Sequence, residues 1–175
     1  MPDRHKPRMI TEGRWLNFVA RGGWEYAERR AISGIVGIVA VTDDRRLILV
    51  EQYRPPVDAP VIELPAGLVG DEPGRADEPL VEAARRELIE EAGYDAATIT
   101  VLTTGVPSAG ATDERITLVH ATGLKRISAG GGDAHENITV HEVPLDALDA
   151  WLVERQAAGR LIDLKIYAGL YLAQR

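Results

Sequence analysis

Glu87, Glu90 and Glu91 stand at i, i+3 and i+4 in a stretch of good helix formers, residues 80–92, so all three share one helix face. Arg86 is their neighbour in sequence and is expected to point elsewhere. Three anions on one face repel one another, and no run of lysines follows to relieve them. Hard oxygen ligands at this density suit Mg²⁺ or Mn²⁺. A solvated acidic face has the same composition, so the flanking residues have to decide between the two.

The element that would carry these carboxylates is well marked. Pro79 suits the first turn of a helix, where its missing N–H costs nothing. Gly93 suits the residue just past the end. Leu80, Ala83, Ala84, Leu88 and Ala92 form an apolar stripe at helical spacing, which needs a core to bury it.

Gly67, Glu78, Arg86, Glu87, Leu88, Glu90, Glu91, Gly93 and Tyr94 together resemble the Nudix box, whose pattern is G-x5-E-x7-R-E-U-x-E-E-x-G-U with U apolar. From Glu78 onward the match is complete, with Tyr94 as the last apolar position. Ten residues separate Gly67 from Glu78 where the pattern has five. The stretch 71–77 is read as carrying a five-residue loop insertion, a change that a surface loop tolerates.

The resemblance implies Mg²⁺-assisted hydrolysis of a diphosphate that links a nucleoside to another group, with Mn²⁺ as a substitute metal. It implies Glu87 and Glu91 as the main ligands, Glu90 as a further one, and the Ala66 backbone carbonyl as another. The one-turn spacing of Glu87 and Glu91 is the reason both can reach one metal cluster. Arg86 would pair with Glu78 or Glu90 and orient it.

Three further stretches are similar to the branch that hydrolyses ADP-ribose, GDP-mannose and related nucleoside diphosphate sugars. They are Gln52-Tyr53-Arg54-Pro55-Pro56, Glu63-Leu64-Pro65-Ala66-Gly67, and Gly130-Gly131-Gly132 followed by Glu136-Asn137-Ile138. The last resembles the GDP-mannose subgroup in particular. Arg54 would clamp a phosphate or the terminal sugar. Trp24, Glu25 and Arg29 are similar to the segment that stacks and positions the base, often across a dimer interface. In this branch the general base lies in a late flexible loop, which points to Glu136, with Asp133 as the alternative and the three glycines as a hinge. Glu114 beside Arg115 is another acid that could join the site. ADP-ribose members often carry a proline about sixteen residues past the box glycine; this chain has Ala109 there and Pro107 two residues earlier. The base and sugar stay open on that ground. Dinucleoside polyphosphates or nucleoside triphosphates are alternative substrates, and a non-hydrolytic nucleotide-sugar sensor is an alternative class.

The composition sets outer bounds. The 175 residues suit one main domain. The net charge of −7 argues against nucleic acid as a partner. No apolar run approaches the roughly 20 residues of a membrane span. There is no cysteine, so disulfides and thiol chemistry are excluded and the cytoplasm is the expected compartment. His5, His120, His135 and His141 lack zinc spacing.

The expected architecture is α+β: a Nudix-type α/β/α sandwich with a mixed β-sheet, plus an N-terminal antiparallel β-hairpin extension. Residues 1–13 read as a mobile polar arm. Residues 14–31 read as a β-hairpin around Gly22-Gly23, likewise suited to dimerisation and base binding. Residues 32–175 read as the Nudix hydrolase domain. Within it, 32–41 and 47–50 look like two buried strands of one hairpin, and helices are expected over 146–156 and 163–173, the latter capped by Asp163. A small-molecule nucleotide sugar is the expected partner, in a homodimer.

Overall fold

The computed structural model describes residues 6–71, 74–132 and 137–175. Two four-stranded mixed sheets form its centre. The first has the order β7 (Ala66–Val69), β4 (Gly34–Ala40), β9 (Ile116–Arg126), β8 (Tyr94–Gly105). Here β4 runs parallel to β9, from Ile35 opposite Ile116 to Ala40 opposite Ala121, and the outer pairs are antiparallel. The second has the order β10 (Thr139–Pro144), β5 (Arg46–Arg54), β6 (Ala59–Glu63), β11 (Leu161–Ile162), with only β6 and β11 parallel.

The strand composition follows from burial on both faces. In β4, Val36, Ile38 and Ala40 point into one core with α1 (Leu80–Ala92), while Val39 points into another. That second core contains Leu148 and Leu152 of α2 (Leu148–Ala157) and Ile166 of α3 (Lys165–Ala173). In β5, Ile48 joins the first core and Leu47 and Leu49 the second. Alternate side chains of a strand leave on opposite faces, so a strand covered on both sides reads as a continuous apolar run. The result is helix, sheet, helix in layers, as expected.

Residues 32–41 and 47–50 do not form a hairpin. Both edges of β4 are taken, by β7 and β9, so β5 pairs with it only at the Val41–Leu47 bridge. The turn between them is closed by the Thr42 amide donating to the Arg46 carbonyl at 2.9 Å and the Arg45 amide donating to the Thr42 carbonyl at 2.9 Å, with Arg45 at φ 63°.

The N-terminal extension has three strands rather than two: β1 (Arg8–Glu12), β2 (Leu16–Arg21) and β3 (Trp24–Arg29), all antiparallel. Gly22 and Gly23 carry φ of 58° and 93° at the β2–β3 turn, which suits glycine in a tight hairpin. The polar arm expected over 1–13 is therefore a strand from Arg8 to Glu12. The free edge of β2 offers unpaired backbone groups that β1 satisfies, and Arg30 fastens its end through the Gly13 carbonyl at 2.7 Å and Glu12 at 2.6 Å.

This small sheet docks on its own chain. The Ala27 amide donates to the Ala111 carbonyl at 2.9 Å, and Arg29 pairs with Glu114 at 2.9 Å. No helix among the described residues is long and apolar enough to cross a membrane.

Candidate active site

Helix α1 begins after Pro79, which caps it rather than entering its first turn, and ends at Gly93 with φ 78°. It buries Ala83, Ala84, Leu88 and Ala92, and also Glu91. The acidic face therefore divides. Glu87 and Glu91 turn inward into a cleft, while Glu90 stays on its outer edge, nearly half exposed.

The cleft has a volume of about 420 Å³. Its walls come from β7 (Ala66, Gly67, Leu68), α1 (Glu87, Glu91), β3 (Arg29), the end of β5 (Arg54), β6 (Glu63), the loop before β9 (Glu114) and the start of α3 (Lys165). Glu91 is fixed by accepting the Ala66 amide at 2.9 Å. Glu87 lies directly over Gly67. Burial pushes the Glu87 carboxyl up to about 7, against the opposing pull of Arg86.

Arg86 does not point away from the cluster. Its Nη1 donates to Glu87 at 2.8 Å and Glu90 at 3.2 Å, and its Nη2 donates to Glu78 at 3.2 Å and the Leu68 carbonyl at 3.1 Å. A side chain this long reaches round the helix, and its planar fork serves several carboxylates at once. The expected pairing with Glu78 or Glu90 is met by both. Glu78 is almost wholly buried, and the hydrogen bond from Arg86 holds its carboxyl below the usual range against the cost of desolvation.

Opposite the helix, each cation has a carboxylate partner. Arg54 Nε donates to Glu63 at 2.6 Å, Arg29 pairs with Glu114, and Lys165 pairs with Asp163. Burial raises the Glu63 carboxyl, and Arg54 only partly offsets this. Asp163 Oδ1 also accepts the Lys165 amide at 2.8 Å, one residue ahead of the cap position of α3.

Of the residues singled out from the sequence, Arg29, Arg54, Ala66, Glu87 and Glu91 line one cleft, and Arg86 and Glu90 stand at its back. Trp24 and Glu25 do not line it: they sit at the far end of β3, opposite Arg21 and Ala20, with Trp24 two-thirds exposed near Gly110. Glu136 and Asp133 lie outside the described residues. Glu63, Asp71 and Lys165 line the cleft without having been singled out for it. Glu63 opens the Glu-Leu-Pro-Ala-Gly stretch and was within reach of the sequence; Lys165 has no local signal.

The glycine run is fastened to the end of α1. Gly130, Gly131 and Gly132 have φ of 70°, 113° and 81°. The Gly131 and Gly132 amides donate to the carbonyls of Glu91 and Glu90 at 2.8 and 3.0 Å, closing the C-terminal turn of α1. A Cβ on Gly130 would stand 2.5 Å from the Ala92 carbonyl carbon, so the close approach itself requires glycine.

The donor set fits a hard divalent cation: buried carboxylates, one raised toward neutrality by desolvation, facing an open cleft. As these side chains stand, no three His, Cys, Asp or Glu among the described residues are close enough together to hold a metal ion. Glu87 and Glu90 are engaged by Arg86, and Glu91 by the Ala66 amide.

A family model described as NUDIX domain matches residues 33–163. The chain is 35% identical over 124 residues to the methanol dehydrogenase activator of Bacillus methanolicus, covering 70% of this chain and 64% of that protein. It is 35% identical over 116 residues to the ADP-ribose pyrophosphatase of Bacillus subtilis, covering 65% and 59%. It is 35% identical over 140 residues to the ADP-ribose pyrophosphatase of Mycobacterium tuberculosis, covering 80% and 62%. The matches thus span about three-fifths of these relatives' own length. A solved structure described as an ADP compounds hydrolase superposes with a TM-score of 0.72 at 24% identity, covering 97% of this chain and 90% of that one, which establishes a shared fold.

Proposed function

This chain belongs to the NUDIX domain family, and on that premise we propose that it hydrolyses the diphosphate of a nucleoside diphosphate sugar, such as ADP-ribose or GDP-mannose, with Mg²⁺ or Mn²⁺. The products are a nucleoside monophosphate and a sugar phosphate. The observation that carries this reading is the single cleft in which two inward glutamates, Glu87 and Glu91, face two arginines, Arg29 and Arg54.

Glu87 and Glu91 are the residues that would hold the cation, with Glu90 and the Ala66 carbonyl as further ligands. Bound there, it would supply positive charge against the diphosphate oxygens. Arg54 spends its Nε on Glu63, so its terminal nitrogens remain to meet a phosphate in a fixed direction. Arg29 is held in the same way by Glu114. Arg86 draws Glu87, Glu90 and Glu78 together and keeps the carboxylates from splaying. Glu136 is proposed as the base that takes the proton of the attacking water.

A homodimer is proposed as the working form. Met9, Trp15, Phe18 and Trp24, in or beside the N-terminal sheet, are exposed apolar side chains, and exposed apolar groups on so small a sheet suit a protein interface. Trp24 and Glu25, which lie away from the cleft of their own chain, are proposed to reach the base of the partner's substrate across that interface. Sedimentation as a monomer at micromolar concentration would remove the dimer.

A panel assay tests the activity. Purified protein with Mg²⁺ is offered ADP-ribose, GDP-mannose, ADP-glucose, a dinucleoside polyphosphate and a nucleoside triphosphate. Turnover of a sugar nucleotide to monophosphate products is expected. Saturable binding without turnover of any of them would replace the hydrolase with a sensing module.

A further inference from the structure

The described part of the loop insertion ahead of α1, residues 74–77, is folded onto the molecule. Gly70, with φ 78°, lies so close to it that a Cβ there would stand 2.9 Å from the Ala76 carbonyl oxygen and 2.8 Å from Ser33 Oγ. Ser33 is itself tied to the Val69 carbonyl, by its amide at 2.8 Å and its Oγ at 3.1 Å. The Glu78 amide donates to the Arg75 carbonyl at 2.8 Å and closes a turn. That turn sets the two side chains together, and Arg75 Nη1 donates to Glu78 Oε1 at 3.0 Å.

We propose that Arg75, carried by the insertion, is a positioning residue for the cation-binding carboxylates and acts on them through Glu78 and Arg86. The proposal rests on the reading of the cleft as a divalent-cation site. Three arguments support it. First, Arg86 has five N–H donors, and all five are engaged. Nε and Nη2 grip Glu78 at 3.3 and 3.2 Å, Nη2 also meets the Leu68 carbonyl, and Nη1 spans Glu87 and Glu90. The pose that serves Glu87 and Glu90 is therefore set by where Glu78 stands.

Second, Glu78 depends on its partners. Its side chain is only 4% exposed, and a buried carboxylate needs pairing and hydrogen bonds. Arg75 supplies the contact on the side away from Arg86. Third, Arg75 does not line the cleft, so its influence on Glu87 and Glu90 runs along this line of alternating charges. The motif pattern specifies no cation ahead of its first glutamate; here the insertion provides one.

Calorimetric Mn²⁺ binding tests the assignment, because charge and positioning have opposite signs. Removing a cation near the cleft would by itself tighten Mn²⁺ binding. Losing a group that orients ligands weakens it, by about tenfold or more. Arg75→Met is expected to weaken binding by that amount, and Arg75→Lys to restore most of it, since one donor reaches Glu78 Oε1. Arg75 is half exposed, so neither change disturbs a core, and circular dichroism checks this. The effect of Arg75→Met is expected to vanish in a Glu78→Gln background, where the route is already broken. Binding unchanged or tighter in Arg75→Met overturns the positioning role, as does an undiminished loss in the Glu78→Gln background. No Mn²⁺ bound by the wild type overturns the cation site and this role with it. The expected pattern with no sugar nucleotide turned over sustains the role and overturns the hydrolase.

Discussion

Gly67 and Glu87 share one space: a Cβ on Gly67 would lie 1.9 Å from Glu87 Cδ and 2.0 Å from its Oε1. The contact explains why glycine stands at the head of the motif despite ten intervening residues before Glu78. The strand carrying Gly67 and the helix carrying Glu87 meet face to face, and the longer loop simply bulges between them.

Gly67→Ala should therefore act on Glu87. The carboxylate has to leave its place, and a displacement of this order costs about 100-fold in turnover when a reacting group is misplaced. Rates of sugar nucleotide hydrolysis, with circular dichroism as a check of folding, decide it. An alanine variant with full activity would mean that Glu87 is not used where it stands.

Arg86→Ala should destabilise the fold. It strips Glu78, Glu87 and Glu90 of a shared partner and leaves the almost buried Glu78 with Arg75 alone, at 3.0 Å. Breaking a buried pair costs about 3–5 kcal/mol, or roughly 10 °C in melting temperature for a chain of this size. Arg86→Lys should recover only part of this, because an ammonium cannot fork between carboxylates. Thermal unfolding of the three proteins gives the order.

Gly130→Ala should unseat the segment that closes α1. Both its φ of 70° and the 2.5 Å approach to Ala92 oppose a side chain. A loss of about 1–3 kcal/mol is expected, read as a lower midpoint in urea. Hydrogen exchange at the Gly131 and Gly132 amides should rise with it.

Acid stability should depend on Glu51. Burial alone would raise its carboxyl, but hydrogen bonds from His141 at 3.0 Å and Arg160 at 3.1 Å outweigh this and hold it below its ordinary 4.5. A depressed carboxyl stabilises the fold above its unfolded value and ceases to do so as pH falls through the folded value. Stability should thus drop below about pH 4.5, and Glu51→Gln should flatten that limb. An unchanged acid limb in the variant would disconnect it from Glu51.

What could be read from the sequence was local. The span of α1, the Gly93 cap, the apolar stripe and the one-turn spacing of Glu87 and Glu91 all rest on contacts within a few residues. The pairs Arg29 with Glu114 and Glu51 with Arg160 join residues far apart in the chain, and no local pattern announces them. Lys165 enters the cleft only because α3 packs beside β4 and β9. The glycine run had a second role that composition does not reveal: glycine permits freedom, but it also permits close approach, and the Ala92 backbone uses the second property. Residues 32–41 were legible as a buried strand but not for their neighbours, since an apolar run on both faces does not say which strand lies at each edge.

The most direct test of the account is ADP-ribose hydrolysis in Mg²⁺ by the wild-type chain beside Glu91→Gln. The amide keeps the shape of the side chain and removes its charge from the wall of the cleft. The account predicts measurable turnover in the wild type, abolished by a chelator, and a loss of at least about a hundredfold in the variant, beyond what orienting groups alone contribute. Equal rates in the two proteins would contradict it and move the chemistry out of this cleft.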